Sequence, residues 1–300
     1  MIDVKRLTIH YKNLRMKIHI RKFATIIRAT FASAMFAFFC SFLTEIPVYA
    51  GEVVKAKIKS EVLGQEREII IHLPKNYDVK AKKRYPVMYA LDGSFLSNPI
   101  AAKIDVVSGG GFVPETIVVG IPNMTAENRQ RGLLPPYMKA DLEVENSPLG
   151  RADKFLTFIE TELMPYMKNS YKVSNLKAIS GHSRGAVLVL YSLLAKPTLF
   201  QARFAYSPAV WREDNLLVAK TKEFLASPNK TKTFLYMSLG EKENDIMKSG
   251  FVALTQTLTK NSPKKIVWYS EYTKDAMHQN NPELSISRGL EKWGEYLKKK

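Results

Sequence analysis

The stretch Leu176-Lys177-Ala178-Ile179-Ser180 runs into Gly181-His182-Ser183-Arg184-Gly185 and then into Ala186-Val187-Leu188-Val189-Leu190. This junction decides how the chain reads. The first five residues form a short apolar run suited to a buried strand, and the last belong to an apolar pattern that continues to Ala195 at helical spacing. Between them stands G-x-S-x-G. A serine on so tight a strand-to-helix turn lifts its hydroxyl above the sheet, and a Cβ at either flanking glycine would strike the neighbouring strand or helix. The helix that starts there aims free N–H groups and its positive end at any anion formed close by. A helix-capping serine between packing glycines would show the same letters. Strand, turn and helix in succession point instead to a nucleophile.

Working outward, Val53 to Val62 and Glu68 to Leu73 read as an opening antiparallel strand pair. Pro86 to Leu91, Thr116 to Ile121, Phe204 to Ser207, Thr233 to Leu239 and Lys265 to Tyr269 read as further strands. Helical periodicity covers Asp153 to Met167, Gly185 to Ala195, Asp245 to Thr259 and Pro282 to Lys298. Strands alternating with helices predict an α/β fold with a mostly parallel central sheet and helices on both faces. Ligands of such sheets sit at the carboxyl ends of the strands, so the residues just after each strand carry the functional interest. No repeat or low-complexity linker interrupts residues 51–300, which read as one domain. Gly109-Gly110-Gly111 lacks a following Lys-Ser or Lys-Thr and reads as a turn, not a phosphate loop.

A serine nucleophile needs a base, and after residue 50 the histidines are His72, His182 and His278. His72 falls within the opening strand pair. His182 adjoins the serine and diverges from it on the tight turn. His278 comes after the last expected strand, in Lys274-Asp275-Ala276-Met277-His278-Gln279, and the order serine then histidine fits a hydrolase. The acid that orients the imidazole is expected in Gly240-Glu241-Lys242-Glu243-Asn244-Asp245, which offers three candidates. Glu243 is the choice, being far enough past Gly240 to fold back over the sheet. Glu241 could be solvated, Asp245 could cap the next helix, and a serine–histidine pair with a weak or absent acid stays open. The oxyanion donors are expected to be the N–H of Arg184 and the N–H of Ser94, in the loop Asp92-Gly93-Ser94, with Gly93 allowing close approach and Asp92 holding the turn. Trp211 and Tyr137 read as pocket wall or as core. Arg129 and Arg131 read as solvated surface, with an acidic substrate group as the alternative.

The chain has 300 residues, a net charge of +17, 46% hydrophobic and 24% charged residues, which excludes a disordered tail, a collagen and a polytopic membrane protein. Met1 to Arg28 is basic, Ala29 to Thr44 carries no charge over 16 residues, and Val48-Tyr49-Ala50 ends in a small residue. This pattern reads as a cleaved signal peptide over residues 1–50, with Met16 as an alternative start. The apolar run is shorter than the roughly 20 residues that span a bilayer. The lone cysteine, Cys40, lies in that run, so neither an internal disulfide nor a cysteine-built zinc site is expected. Eight basic and two acidic residues leave with the leader, so +17 falls by 6 to +11. A periplasmic or secreted protein of that charge is expected to meet anionic envelope polymers or acidic substrates only weakly, and no nucleic acid. Stable membrane insertion after cleavage is not expected, and oligomeric state is not legible.

Several blocks resemble the esterase D-like family of α/β-hydrolases, particularly its periplasmic siderophore-esterase relatives. They are Tyr85 to Gly93 (YPVMYALDG), Ile117 to Asn123 (IVVGIPN), Ala152 to Leu156 with Glu162 to Tyr166, Gly181 to Gly185, and Ser207-Pro208-Ala209-Val210-Trp211. The resemblance implies the α/β-hydrolase fold and a serine carboxylic-ester hydrolase without metal or organic cofactor, acting on a small-molecule ester. By position it carries over Ser183 as nucleophile, His278 as base and the Asp92-Gly93-Ser94 loop as oxyanion contributor. The family's R-x-R-D-L-T-P stretch reads Arg129-Gln130-Arg131-Gly132-Leu133-Leu134-Pro135 here, with Gly132 in place of the aspartate. Acyl transfer on the same fold, or a catalytically silent envelope-binding module, are the rival readings.

Overall fold

The computed structural model describes residues 51–228, 232–261 and 265–299. The expected leader, with Met16, Cys40 and the exit at Ala50, lies outside the described residues.

The amino-terminal strands obey period-two alternation. In β1 (Val53–Ser60), Val54, Ala56 and Ile58 turn inward while Lys55, Lys57 and Lys59 are exposed. β1 pairs antiparallel with β2 (Gln65–His72), from Val53↔His72 to Ser60↔Gln65, across a turn that contains Gly64 at φ +65°. Four later strands are buried on both faces and read as continuous apolar runs, as parallel strands must: β3 (Tyr85–Leu91), β4 (Ile117–Ile121), β6 (Ala202–Tyr206) and β7 (Thr233–Gly240). With β5 (Val173–His182) and β8 (Ile266–Thr273) they form one eight-stranded sheet in the order β1-β2-β4-β3-β5-β6-β7-β8. β2 meets β4 antiparallel, and every later pair is parallel.

Helices cover both faces. Met88, Ala90, Val118 and Phe204 pack under α1 (Gly93–Gly109) and α8 (Asn281–Lys298). The stripe Ile286, Leu290, Trp293 of α8 presents one apolar face, and the Trp293 ring meets Phe204 edge-on at 5.8 Å. Tyr89, Leu91, Val119 and Ile179 point the other way, under α3 (Ala152–Phe158), α5 (Arg184–Ala195) and α7 (Asp245–Asn261). The remaining helices are α2 (Ala126–Gly132), α4 (Met164–Ser170) and α6 (Arg212–Ala226). Among the described residues, no helix is long and apolar enough to cross a membrane.

Three local expectations change. The helix expected over Asp153 to Met167 is interrupted by a π-turn at Ile159–Leu163. Pro165 has no N–H to give the carbonyl four residues back, and the Met164 N–H reaches the Ile159 carbonyl one residue farther. The last strand extends past Tyr269 to Thr273, because the ladder to β7 continues through Gly240↔Thr273 after the apolar run has ended. Asp92-Gly93-Ser94 is not an open loop: α1 begins at Gly93, so Ser94 lies in a helical first turn. Pro99 inside α1 hides that helix from a propensity reading.

Candidate active site

Between β3 and β5 the strand order reverses, and the turns after these two strands face one crevice at their carboxyl ends. Ser183 occupies the turn after β5 at φ 58°, ψ −115°. Its N–H donates to the Tyr206 carbonyl (2.9 Å), extending the ladder to β6, while its carbonyl accepts the Val187 N–H (3.2 Å), opening α5. Ladder and helix thus meet within one residue, which leaves the side chain only the direction away from the sheet. Gly181 is sterically required, and Gly185 leaves little room for a side chain. A Cβ on Gly181 would lie 2.5 Å from the Gly185 carbonyl carbon, and one on Gly185 would lie 3.1 Å from Asp92 Oδ2. Arg184, the first residue of α5, and Ser94, the second of α1, have N–H groups without intrahelical acceptors.

Asp92 sits at φ 52° in the turn after β3. Its carboxylate accepts Arg129 Nε (2.7 Å) and Nη2 (3.0 Å), and also Asn123 Nδ2. Arg129 is therefore no solvated surface group; α2 delivers it to clamp the turn beside Gly185. Ser94 is exposed and borders a groove shared with Lys55, Lys57, Glu68 and Pro122. It is not among the residues lining the cavity at Ser183.

That cavity measures about 430 Å³, and Ser183, Arg184, Trp211, Arg212, Glu243 and His278 all line it. His278 lies between β8 and α8, 33% exposed, with Nδ1 2.8 Å from Glu243 Oε2. The Glu243 side chain is 1% exposed. Its Oε1 accepts Ser207 Oγ (2.6 Å) and the Gly240 N–H (2.8 Å). Burial works to raise the Glu243 carboxyl, but the bonds from His278, Ser207 and Gly240 outweigh it and hold the group below the usual carboxylate range. The acid loop and the histidine loop cross tightly: Lys242 N–H donates to the Ala276 carbonyl, and a Cβ on Gly240 would lie 2.6 Å from that oxygen. Of the other acids, Glu241 accepts the exposed Asp275 N–H (3.1 Å), and Asp245 opens α7.

The other two histidines are engaged elsewhere. His72 Nε2 lies 2.9 Å from Ser97 Oγ in the core. His182 Nε2 donates to the His278 carbonyl (2.8 Å), and the two rings stand 4.5 Å apart. Burial, then the neighbouring His278, lowers His182 to about 4, so it is neutral at physiological pH. Tyr137 packs edge-on against Tyr191 at 6.0 Å as core, whereas Trp211 walls the cavity. Among the described residues, no cluster of three or more His, Cys, Asp or Glu side chains is arranged to hold a metal ion.

Sequence reasoning missed the support behind Glu243. Asn281 Nδ2 donates to Ser207 Oγ (2.8 Å) and Ser238 Oγ (3.1 Å), and Ser238 Oγ meets Ser285 Oγ at 2.9 Å. Ser207 itself is fully buried at φ 47°. The one signal for it was a serine placed just after a strand.

A family model described as "Putative esterase" matches residues 60–296. Ferri-bacillibactin esterase BesA of Bacillus subtilis is 30% identical over 177 residues, covering 53% of this chain and 60% of that protein. A siderophore triacetylfusarinine C esterase of Aspergillus fumigatus is 28% identical over 176 residues, 54% of this chain and 58% of that protein. The matches thus span about three fifths of the length of these curated relatives. An IroE-like serine hydrolase from Shewanella oneidensis superposes with a TM-score of 0.73 at 23% identity, over 81% of this chain and 80% of that one. With the strand order above, this is the α/β-hydrolase fold.

Proposed function

The chain belongs to the Putative esterase family, and on that premise we propose that it is a serine carboxylic-ester hydrolase working through an acyl-enzyme. One observation carries the reading. His278 bonds a buried, ionised Glu243 through Nδ1 and lines the same cavity as Ser183. A carboxylate only accepts hydrogen bonds, so Nδ1 carries the proton and Nε2 keeps a lone pair. His278 Nε2 takes the Ser183 proton as Oγ attacks the ester carbonyl, and Glu243 stabilises the imidazolium. The N–H of Arg184, which lines the cavity at the start of α5, holds the oxyanion. His278 then protonates the leaving alcohol and activates a water that releases the acid. The partial exposure of His278 lets water reach it, which favours hydrolysis over transfer to another alcohol.

The cavity pairs two guanidinium groups, Arg184 and Arg212, with Trp211. This lining suits an ester whose acyl part is anionic or electron-rich. The curated relatives named above are esterases of siderophores, and an ester of that class is the substrate proposed here. We place the protein in the periplasm or outside the cell after removal of residues 1–50, on the basic, apolar and small-residue pattern of that segment. A fluorophosphonate probe is expected to label the folded wild type and not Ser183→Ala. Equal labelling of the two, or no labelling of folded wild type, rejects the assignment.

A further inference from the structure

Arg203 and Arg67 are both buried in the sheet, and the protein treats them differently. Arg203, on β6, is ringed by acceptors: its Nε reaches Ser192 Oγ (3.0 Å), and its Nη1 reaches the Phe200 carbonyl (2.8 Å) and Thr233 Oγ1 (2.8 Å). Its Nη2 reaches the carbonyls of Ser192, Lys196 and Pro197. Arg67, on β2, is 1% exposed. Its Nη2 donates to the Pro122 carbonyl (2.6 Å), and its Nε has no acceptor among the described residues. Burial pulls its guanidinium down to about 10, which still leaves it a cation at neutral pH. A buried cation without a counter-charge is among the costliest groups a fold can carry.

Arg67 lines a cavity of about 180 Å³ whose other charged walls are Arg131, Arg151, Lys154 and Glu127. Glu127 is 75% exposed and faces Arg131 at 3.5 Å, on the solvent side. Arg131 Nε also reaches the Leu149 carbonyl (3.4 Å). Arg151 and Lys154 pair with no carboxylate among the described residues. Gly132 opens the space. Its backbone is outside the left-handed region, and a Cβ there would meet only the Phe155 ring at 3.5 Å. That ring lies 5.5 Å beneath the Arg67 guanidinium. Backbone geometry therefore does not demand glycine at this position; the missing side chain simply leaves room beside a buried cation.

We propose that this cavity binds one small oxyanion, phosphate or sulfate, which neutralises Arg67 while Arg131, Arg151 and Lys154 close around it. The volume holds a single tetrahedral ion together with water, and the cationic walls favour an anion over a neutral ligand. An ion there joins β2, α2 and α3. Because α2 also sends Arg129 to Asp92, the ion braces the clamp over the Ser183 turn. The proposal uses no residue of the cavity at Ser183 and stands apart from the esterase reading.

The test is a thermal melt of the purified chain titrated with potassium phosphate, and separately with sodium sulfate, at ionic strength held constant with potassium chloride. The midpoint is expected to rise saturably, by about 3–5 °C at ten times the dissociation constant. Gly132→Asp sets a carboxylate against the Phe155 ring under the guanidinium. It is expected to raise the midpoint in chloride alone and to remove the phosphate and sulfate response. The exposed double variant Arg151→Ala/Lys154→Ala is expected to keep its midpoint in chloride and to bind either ion at least about tenfold more weakly. A wild-type midpoint that does not respond, or responds without saturation, overturns the proposal. So does a saturable response of the same size and midpoint in both variants.

Discussion

Ser183 and Ser207 end neighbouring parallel strands, and both hold left-handed backbones, at φ 58° and φ 47°. Each conformation costs on the order of 1–3 kcal/mol for a residue with a Cβ. The returns differ. At Ser183 the helix α5 starts at once, and the hydroxyl is pushed out over the sheet to the cavity rim. At Ser207 the next residue is Pro208, the chain turns inward, and the hydroxyl is sealed beneath Glu243 with Asn281 behind it. The same strained device thus exposes one hydroxyl and buries another. The path of the chain beyond each serine decides the outcome, and the buried hydroxyl fixes the acid that steadies His278.

Substitutions that separate the two serines test that contrast, beginning with the most damaging. Ser183→Ala is expected to lower kcat/KM on p-nitrophenyl acetate by about 10⁵-fold while the melt stays within a few degrees of wild type. A loss under tenfold would mean that the nucleophile lies elsewhere. Glu243→Gln is expected to cost about 10³-fold in kcat, because an amide favours the wrong imidazole tautomer. An unchanged kcat would leave Glu243 a structural group only.

His182, the last residue of β5 before the Ser183 turn, has a pKa that falls from 6.5 to about 4 on burial. The folded value is the lower one, so the neutral ring contributes stability that is complete above pH 6.5 and is lost as pH falls toward 4. Wild type is expected to lose about 3 kcal/mol more than His182→Gln between pH 7 and pH 4, measured by urea unfolding. Parallel curves for the two proteins would refute the burial argument. The mildest change is Ser207→Ala. Removing one of the hydrogen bonds to Glu243 should reduce kcat about tenfold with KM unchanged, and shift the acid limb of the kcat–pH profile. A KM effect alone would place Ser207 outside the positioning of His278.

Legibility tracked locality. The turn at Ser183 and the strands around it were readable because period-two runs and the two glycines express constraints that act within a few residues. α1 was not readable, since Pro99 and a glycine start contradict helix propensity and only packing of Leu96, Ile100 and Ile104 on the sheet overrides it. Arg129 looked like surface because its partner, Asp92, is 37 residues away in the chain. Glu243 stood among three candidates, since all three lie within one short loop.

By itself, the sequence determined where a serine is bent out of a strand, that strands and helices alternate, and which histidine comes after the last strand. Those are matters of steric demand and periodicity along the chain. Only the tertiary structure decided that Glu243, rather than Glu241 or Asp245, meets His278, and that Ser207 and Asn281 hold it there. It alone also left Arg67 buried with no carboxylate bonded to it among the described residues. These contacts depend on loops that cross at Gly240 and Ala276 and on a cavity between β2, α2 and α3, and spacing along the chain encodes no distance between elements that meet only after the sheet has closed.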